Sequence, residues 1–140
     1  MTPNFTLAEL TITNHRSLDN TPDPAAQANL QRLAVFLELV KDRLGGRPIM
    51  VSSAYRSAAV NAACGSRETS QHRLGCAADV RVPGMTPDAV VRAVMASGLA
   101  YDQIILEFDA WTHLSIPNTP TAAPRKSALI IDRAGTRPFA

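Results

Sequence analysis

Apolar residues recur at helical spacing from Leu30 through Leu33, Ala34, Leu37 and Val40 to Leu44. Asp23 precedes the stretch as an N-cap, Pro24 suits the first helical position and Gly45-Gly46 stops it, which predicts one long amphipathic helix. A second helix is predicted after Thr86-Pro87-Asp88, with Ala89, Val90, Ala93 and Val94 on its apolar stripe and a stop at Gly98. Between and beyond them the period shortens to two. Pro48-Ile49-Met50-Val51-Ser52 reads as a buried strand, and Ser53 to Ser57 leads from it into a short alanine-rich helix near Ala58 to Ala63. Residues 64–75, rich in Gly, Ser and polar groups, predict a loop. Cys76 to Val82 alternates, with Ala78, Val80 and Val82 on one face and Ala77, Asp79 and Arg81 on the other.

The same alternation sorts the next segment. Gln103 to Phe108 places Ile104, Leu106 and Phe108 on one face and Ile105 and Glu107 on the other. A tight connection at Asp109-Ala110 joins it to Trp111 to Ile116, so a hairpin is predicted that brings Glu107 and His113 to one sheet face. A last strand falls near Ala128 to Asp132, after an irregular surface stretch from Pro117 to Pro124. The pattern describes helices that cover one face of a sheet, with a cleft over the other.

Size and charge narrow the classes. A chain of 140 residues fits one domain, taken as residues 1–140, with enough core to need no staples. A net charge of +2, with no Lys/Arg run, gives no electrostatic footprint for nucleic acid. No apolar run reaches the roughly 20 residues of a membrane span, and Met1-Thr2-Pro3-Asn4 lacks the start of a signal peptide. The expectation is a monomer made in the cytoplasm. Cys64 and Cys76 match no paired zinc pattern and read as two small, partly buried residues able to pair when oxidised.

Chemistry concentrates in Ser70-Gln71-His72-Arg73-Leu74-Gly75-Cys76-Ala77-Ala78-Asp79 and in Trp111-Thr112-His113. Two imidazoles and a carboxylate are a ligand set that leaves a four-coordinate zinc one open position. The spacing of His72 and Asp79 alone is one that chance often supplies. Weight comes from Gly75, which permits a tight loop, from Asp79 lying off the apolar face, and from His113 on the polar face of a later hairpin. Such a site needs a carboxylate to take a proton from water, and Glu107 is the best placed, with Asp109 in reserve. Asp109 also reads as a solvated turn former, and Glu107 as an edge-strand charge. Arg56 is either a clamp for a substrate carboxylate or oxyanion, or an ordinary surface arginine. Ser70 is a substrate or ligand hydrogen-bonder or a common loop serine, Trp111 a cleft wall or a packing residue. His15, without partners in a polar segment, reads as surface.

Taken in order, Ser52-Ser53-Ala54-Tyr55-Arg56-Ser57, Ser70-Gln71-His72 with Gly75 and Ala78-Asp79, Ile105-Leu106-Glu107-Phe108, and Trp111-Thr112-His113-Leu114-Ser115 resemble the zinc D-alanyl-D-alanine carboxypeptidase family. The likeness is to its small single-domain branch of phages and bacteria and runs from about Phe5 to Ser115. It implies an α+β fold shared with the hedgehog signalling domain, an antiparallel sheet with helices packed on one face and a zinc site in a cleft on the other, with zinc as cofactor and hydrolysis in the peptidoglycan stem peptide. By position, it implies His72, Asp79 and His113 as metal ligands, Arg56 as the substrate-binding arginine and Ser70 as the serine beside the first ligand. Many members carry the catalytic carboxylate three residues before the last His, where this chain has Ala110. A glutamate six residues before it, as Glu107 is, resembles the hedgehog-like and small phage-type arrangement. The resemblance implies an endolysin-like enzyme acting on the cell wall after release or export by another route. It also admits a non-catalytic, zinc-stabilised binding module.

Overall fold

The computed structural model describes residues 1–139. Four helices, α1 (Leu7–Leu10), α2 (Pro24–Arg43), α3 (Ala58–Ala63) and α4 (Pro87–Ala96), accompany six strands. The strands are β1 (Met50–Ser53), β2 (Ala77–Arg81), β3 (Gln103–Glu107), β4 (Trp111–Ser115), β5 (Ser127–Asp132) and β6 (Gly135–Pro138), joined in one sheet of order β1-β2-β4-β3-β5-β6. Helix starts follow their caps. Asp23 accepts from the Ala26 amide with Pro24 at the first turn, and Thr86 accepts from the Ala89 amide ahead of Pro87. The short α1 was not anticipated, although Thr6 and Glu9 form a reciprocal capping box visible in the sequence.

Side-chain alternation splits the sheet into two faces. Ala78, Val80, Ile104, Leu106 and Leu114 enter one core with Leu30, Leu33, Leu37 and Val40 of α2 and Val90, Val91 and Val94 of α4. Burying each such aliphatic side chain contributes about 1.5–3 kcal/mol, so this face anchors the fold. Among the described residues no helix is long and apolar enough to cross a membrane.

Three expectations need correction. The first strand is buried only in part: Ile49 just before it and Val51 within it pack on the core, but β1 is a sheet edge and Met50 is 58% exposed. The sheet is not wholly antiparallel, because β5 pairs with β3 in parallel. That pairing needs no long crossover: β4 ends beside the start of β3, so the segment after Ser115 passes that end and begins β5 on the far side of β3. The loop at 64–75 is not featureless either, since Gln71–Leu74 forms a 3₁₀ turn.

Candidate metal centre

Strand register sets most of the site. Asp79 of β2 stands opposite His113 of β4, and Glu107 of β3 stands opposite Trp111. Period-two alternation then puts Asp79, His113, Trp111 and Glu107 on the face away from the helices. His72 arrives from the 3₁₀ turn, whose N-cap Ser70 accepts from the His72 amide at 3.2 Å. Gly75 ends the turn at φ 78°, and a Cβ there would lie 2.9 Å from the Ala26 carbonyl oxygen. Only glycine satisfies both the left-handed backbone and the close approach to α2.

Beside the turn, the Arg56 amide donates to the His72 carbonyl at 2.9 Å. In return His72 Nδ1 lies 2.7 Å from the Ala54 carbonyl oxygen, which can only accept. The proton is therefore on Nδ1, and Nε2 presents a lone pair to the site, the arrangement in which an outer hydrogen bond orients a metal-binding imidazole. His72 Nε2 is 3.3 Å and His113 Nδ1 3.0 Å from Asp79 Oδ1. All three residues are buried, with one potential ligand atom from each falling within 4.8 Å of the others.

Burial pushes His72 down in pKa despite the pull of Asp79, so the imidazole is neutral. Burial works against a charged Asp79, but the hydrogen bond from His113 prevails and holds the carboxyl well below the usual range. A neutral imidazole and an ionised carboxylate are the ligand-competent forms. The lone pair of Nε2 and a carboxylate oxygen 3.3 Å apart repel each other unless a cation or proton lies between them. Ligand atoms at zinc bonding distances in a tetrahedron stand about 3.3 Å apart, so the cluster fits such an ion.

Around the cluster lies a pocket of about 280 Å³ lined by Arg56, Cys64, Ser66, Ser70, Glu107 and Trp111 as well as the three ligand candidates. Arg56 is not an ordinary surface arginine. Its side chain is 13% exposed, with Nη2 3.4 Å from Asp79 Oδ2, Nε donating to Ser53 and Nη1 to Ser66. Glu107 Oε1 is 3.9 Å from His113 Nδ1. Burial, and then the neighbouring Asp79 charge, raises the Glu107 pKa above the ordinary value. Trp111 is in the pocket wall, and its buried indole N–H has no partner among the described residues.

Asp109 does not join this group. It is exposed in the hairpin turn at φ 50°, next to Asp132 and Arg133. Ala110 borders a different groove with Thr112 and Pro87, while Glu107 borders the pocket. His15 is half-buried and lies outside the cluster. Nor are the cysteines a matched pair: both are free, Cys64 exposed on the metal pocket and Cys76 buried near Arg32 and Asn118.

Several residues around the site carried no readable signal. Ser66 holds Arg56 from the loop, and Gln71 donates to Asp102, the Ile116 carbonyl and Asn118. Asp102 in turn binds Arg125 through Nε at 3.0 Å and Nη2 at 2.6 Å. These partners lie far apart in sequence and obey no spacing rule; only tertiary pairing reveals them.

A pocket that holds two imidazoles and a carboxylate, with a second carboxylate at its edge, is the residue set of metal-dependent hydrolases. Comparison with protein families agrees. The model of the family described as Peptidase M15 matches residues 3–115, most of the chain. The chain belongs to this family of zinc-dependent peptidases. No curated protein matches it.

Proposed function

We propose that this protein is a zinc peptidase of peptidoglycan stem peptides, built on the hedgehog/DD-peptidase-like fold as one domain spanning residues 1–140. The observation behind this reading is the convergence of His72, Asp79 and His113 in one pocket with Glu107 at its edge. When bound, zinc supplies Lewis acidity that polarises a peptide carbonyl and acidifies water. Asp79 remains ionised and His72 neutral to hold it, each oriented by partners outside the cluster: Arg56 on the second Asp79 oxygen and the Ala54 carbonyl on His72.

Glu107 is the general base in this reading. Its raised pKa brings it closer to the operating range of a proton shuttle, and it takes a proton from the attacking water and returns it to the leaving amine. Arg56 sets a positive charge beside the pocket, where it steadies the oxyanion or a substrate carboxylate. Ser70 orients the peptide at the pocket mouth. The protein acts as a monomer on the cell wall, in the manner of an endolysin, after release or export by another route. The bond cleaved is the D-Ala-D-Ala bond of a carboxypeptidase substrate or the L-Ala-D-Glu bond of an endopeptidase substrate.

The test is digestion of purified stem peptides by the zinc-loaded protein, with fragments identified by mass spectrometry and metal measured by elemental analysis. Free D-Ala identifies the carboxypeptidase, and free L-Ala or a longer fragment the endopeptidase. Stoichiometric zinc with every peptide left intact would replace the reading with a zinc-stabilised binding module.

A further inference from the structure

The metal pocket does not end at His113. A second hollow of about 650 Å³ shares Ser70 and His113 with it and continues across β3 and β5. Its floor is Ile105 of β3 and Leu129 and Ile131 of β5. Register explains the floor. Ile105 stands opposite both His113 and Leu129, so these side chains share the metal-bearing face, while Ile130 points back and packs on the core. Leu129 and Ile131 are thus left half-exposed on the face that carries the metal ligands.

The walls are cationic. Arg67 stands on the loop before the 3₁₀ turn, Arg125 just before β5, and no Asp or Glu lines the hollow. Arg67 is exposed and forms no ion pair among the described residues. Arg125 is 57% exposed, and its Nε and Nη2 are fixed on the 5%-exposed side chain of Asp102, which holds the guanidinium rigidly while its other N–H groups remain for a ligand. Burial resists ionisation of Asp102, yet the hydrogen bonds from Arg125 prevail and keep it charged.

Arg125, Leu129 and Ile131 all lie beyond residue 115, where the family match stops. The segment after the shared region thus adds a floor and a fixed cation to a surface that opens on the metal pocket. Gln103, at the far end, is two residues from Ile105, or about 7 Å along an extended strand. An extended peptide reaching from the metal pocket covers that distance in about two residues.

We propose that the hollow over β3 and β5 is an extended subsite for an acidic peptide, in which Arg67 and Arg125 receive a free carboxylate about two residues from the cleaved bond and Ile105, Leu129 and Ile131 take the apolar part of the chain. This rests on the peptidase reading and specifies its substrate: stem peptides whose carboxylates are free, in preference to the same peptides with those carboxylates amidated.

The test compares this pair of peptides on the zinc-loaded full chain, by calorimetric binding and by turnover, in wild type, Arg67→Glu and Leu129→Ser. Wild type is expected to bind the free-carboxylate form about fivefold more tightly, with the difference shrinking as salt is raised. Arg67→Glu removes the difference through KM and leaves kcat unchanged, since Arg67 supports no fold contact through its charge. Leu129→Ser weakens both peptides alike. Equal affinity of the two forms for wild type, or a preference that survives Arg67→Glu, overturns the subsite. Cleavage without preference overturns the subsite alone. A charge preference in binding with no peptide cut overturns the peptidase reading and leaves the subsite standing, and binding of neither peptide overturns both.

Discussion

The two faces of the sheet are equally part of the fold but are built by opposite rules. On the helix-covered face, Val80, Ile104 and Leu114 meet α2 and α4, and the interaction is non-directional, so volume and apolarity are what matter. On the other face, Asp79, His72 and His113 are just as buried, but each is held by specific partners at hydrogen-bond distances. Burying such groups costs stability unless each is paired. The first face therefore specifies that the chain folds, and the second spends some of that stability on a buried polar cluster able to hold a metal ion.

The sharpest way to break this contrast is to remove a ligand. Asp79→Ala is expected to abolish zinc binding and all stem-peptide cleavage while the circular dichroism spectrum stays that of a folded chain. Loss of the fold itself would mean that the two faces are not separable. Metal removal makes the same point in the wild type. Chelation should lower the melting temperature and zinc should restore it, the unfolding free energy rising by about 4 kcal/mol when free zinc is about 1,000 times its Kd. Asp79→Ala should not respond to zinc.

Glu107→Gln separates chemistry from metal on the same face. It should retain stoichiometric zinc and lose activity by roughly 10²- to 10⁴-fold. Near-wild-type turnover would remove Glu107 from the role of base. On the helix-covered face the readouts reverse. Leu33→Ala, at a fully buried position, should cost about 2–5 kcal/mol in urea unfolding and leave zinc content and KM unchanged at temperatures where the chain is folded.

Legibility in the sequence divides along the same line. The helix-covered face was readable because apolar periodicity records it directly: Leu30 to Val40 and Ala78 to Val82 point inward as their spacing requires. Asp79, Glu107 and His113 were readable because the same alternation sets them on the opposite face, and Gly75 because a tight turn needs it. Edge position is not written in local pattern, so the apolar Ile49-Met50-Val51 passed for a buried strand although β1 has a neighbour on only one side. Parallel pairing of β5 with β3 depends on where a distant loop emerges, and β6, four exposed residues around Arg137, has no hydrophobic alternation to reveal it. The holding contacts of Ser66 on Arg56 and Asp102 on Arg125 are chosen by tertiary approach and leave no trace in spacing.

The Asp102–Arg125 pair is the test of whether polar partners on the site side stabilise the fold at all. Its carboxyl is depressed below the ordinary aspartate value: burial raises it, but the hydrogen bonds from Arg125 and Gln71 lower it further. A depressed carboxylate contributes stability that is present above its unfolded pKa of about 3.9 and lost as pH falls through the lower folded value. Wild type should therefore lose urea stability between pH 5 and pH 3, and Asp102→Asn should lose less over the same interval because it has no proton to take up there. At pH 7 the variant should be the weaker protein, by about 1–3 kcal/mol, since Arg125 and Gln71 lose a charged acceptor. An unchanged acid slope in Asp102→Asn would assign the acid sensitivity to other carboxylates and leave Asp102 as a positioning group for Arg125 alone.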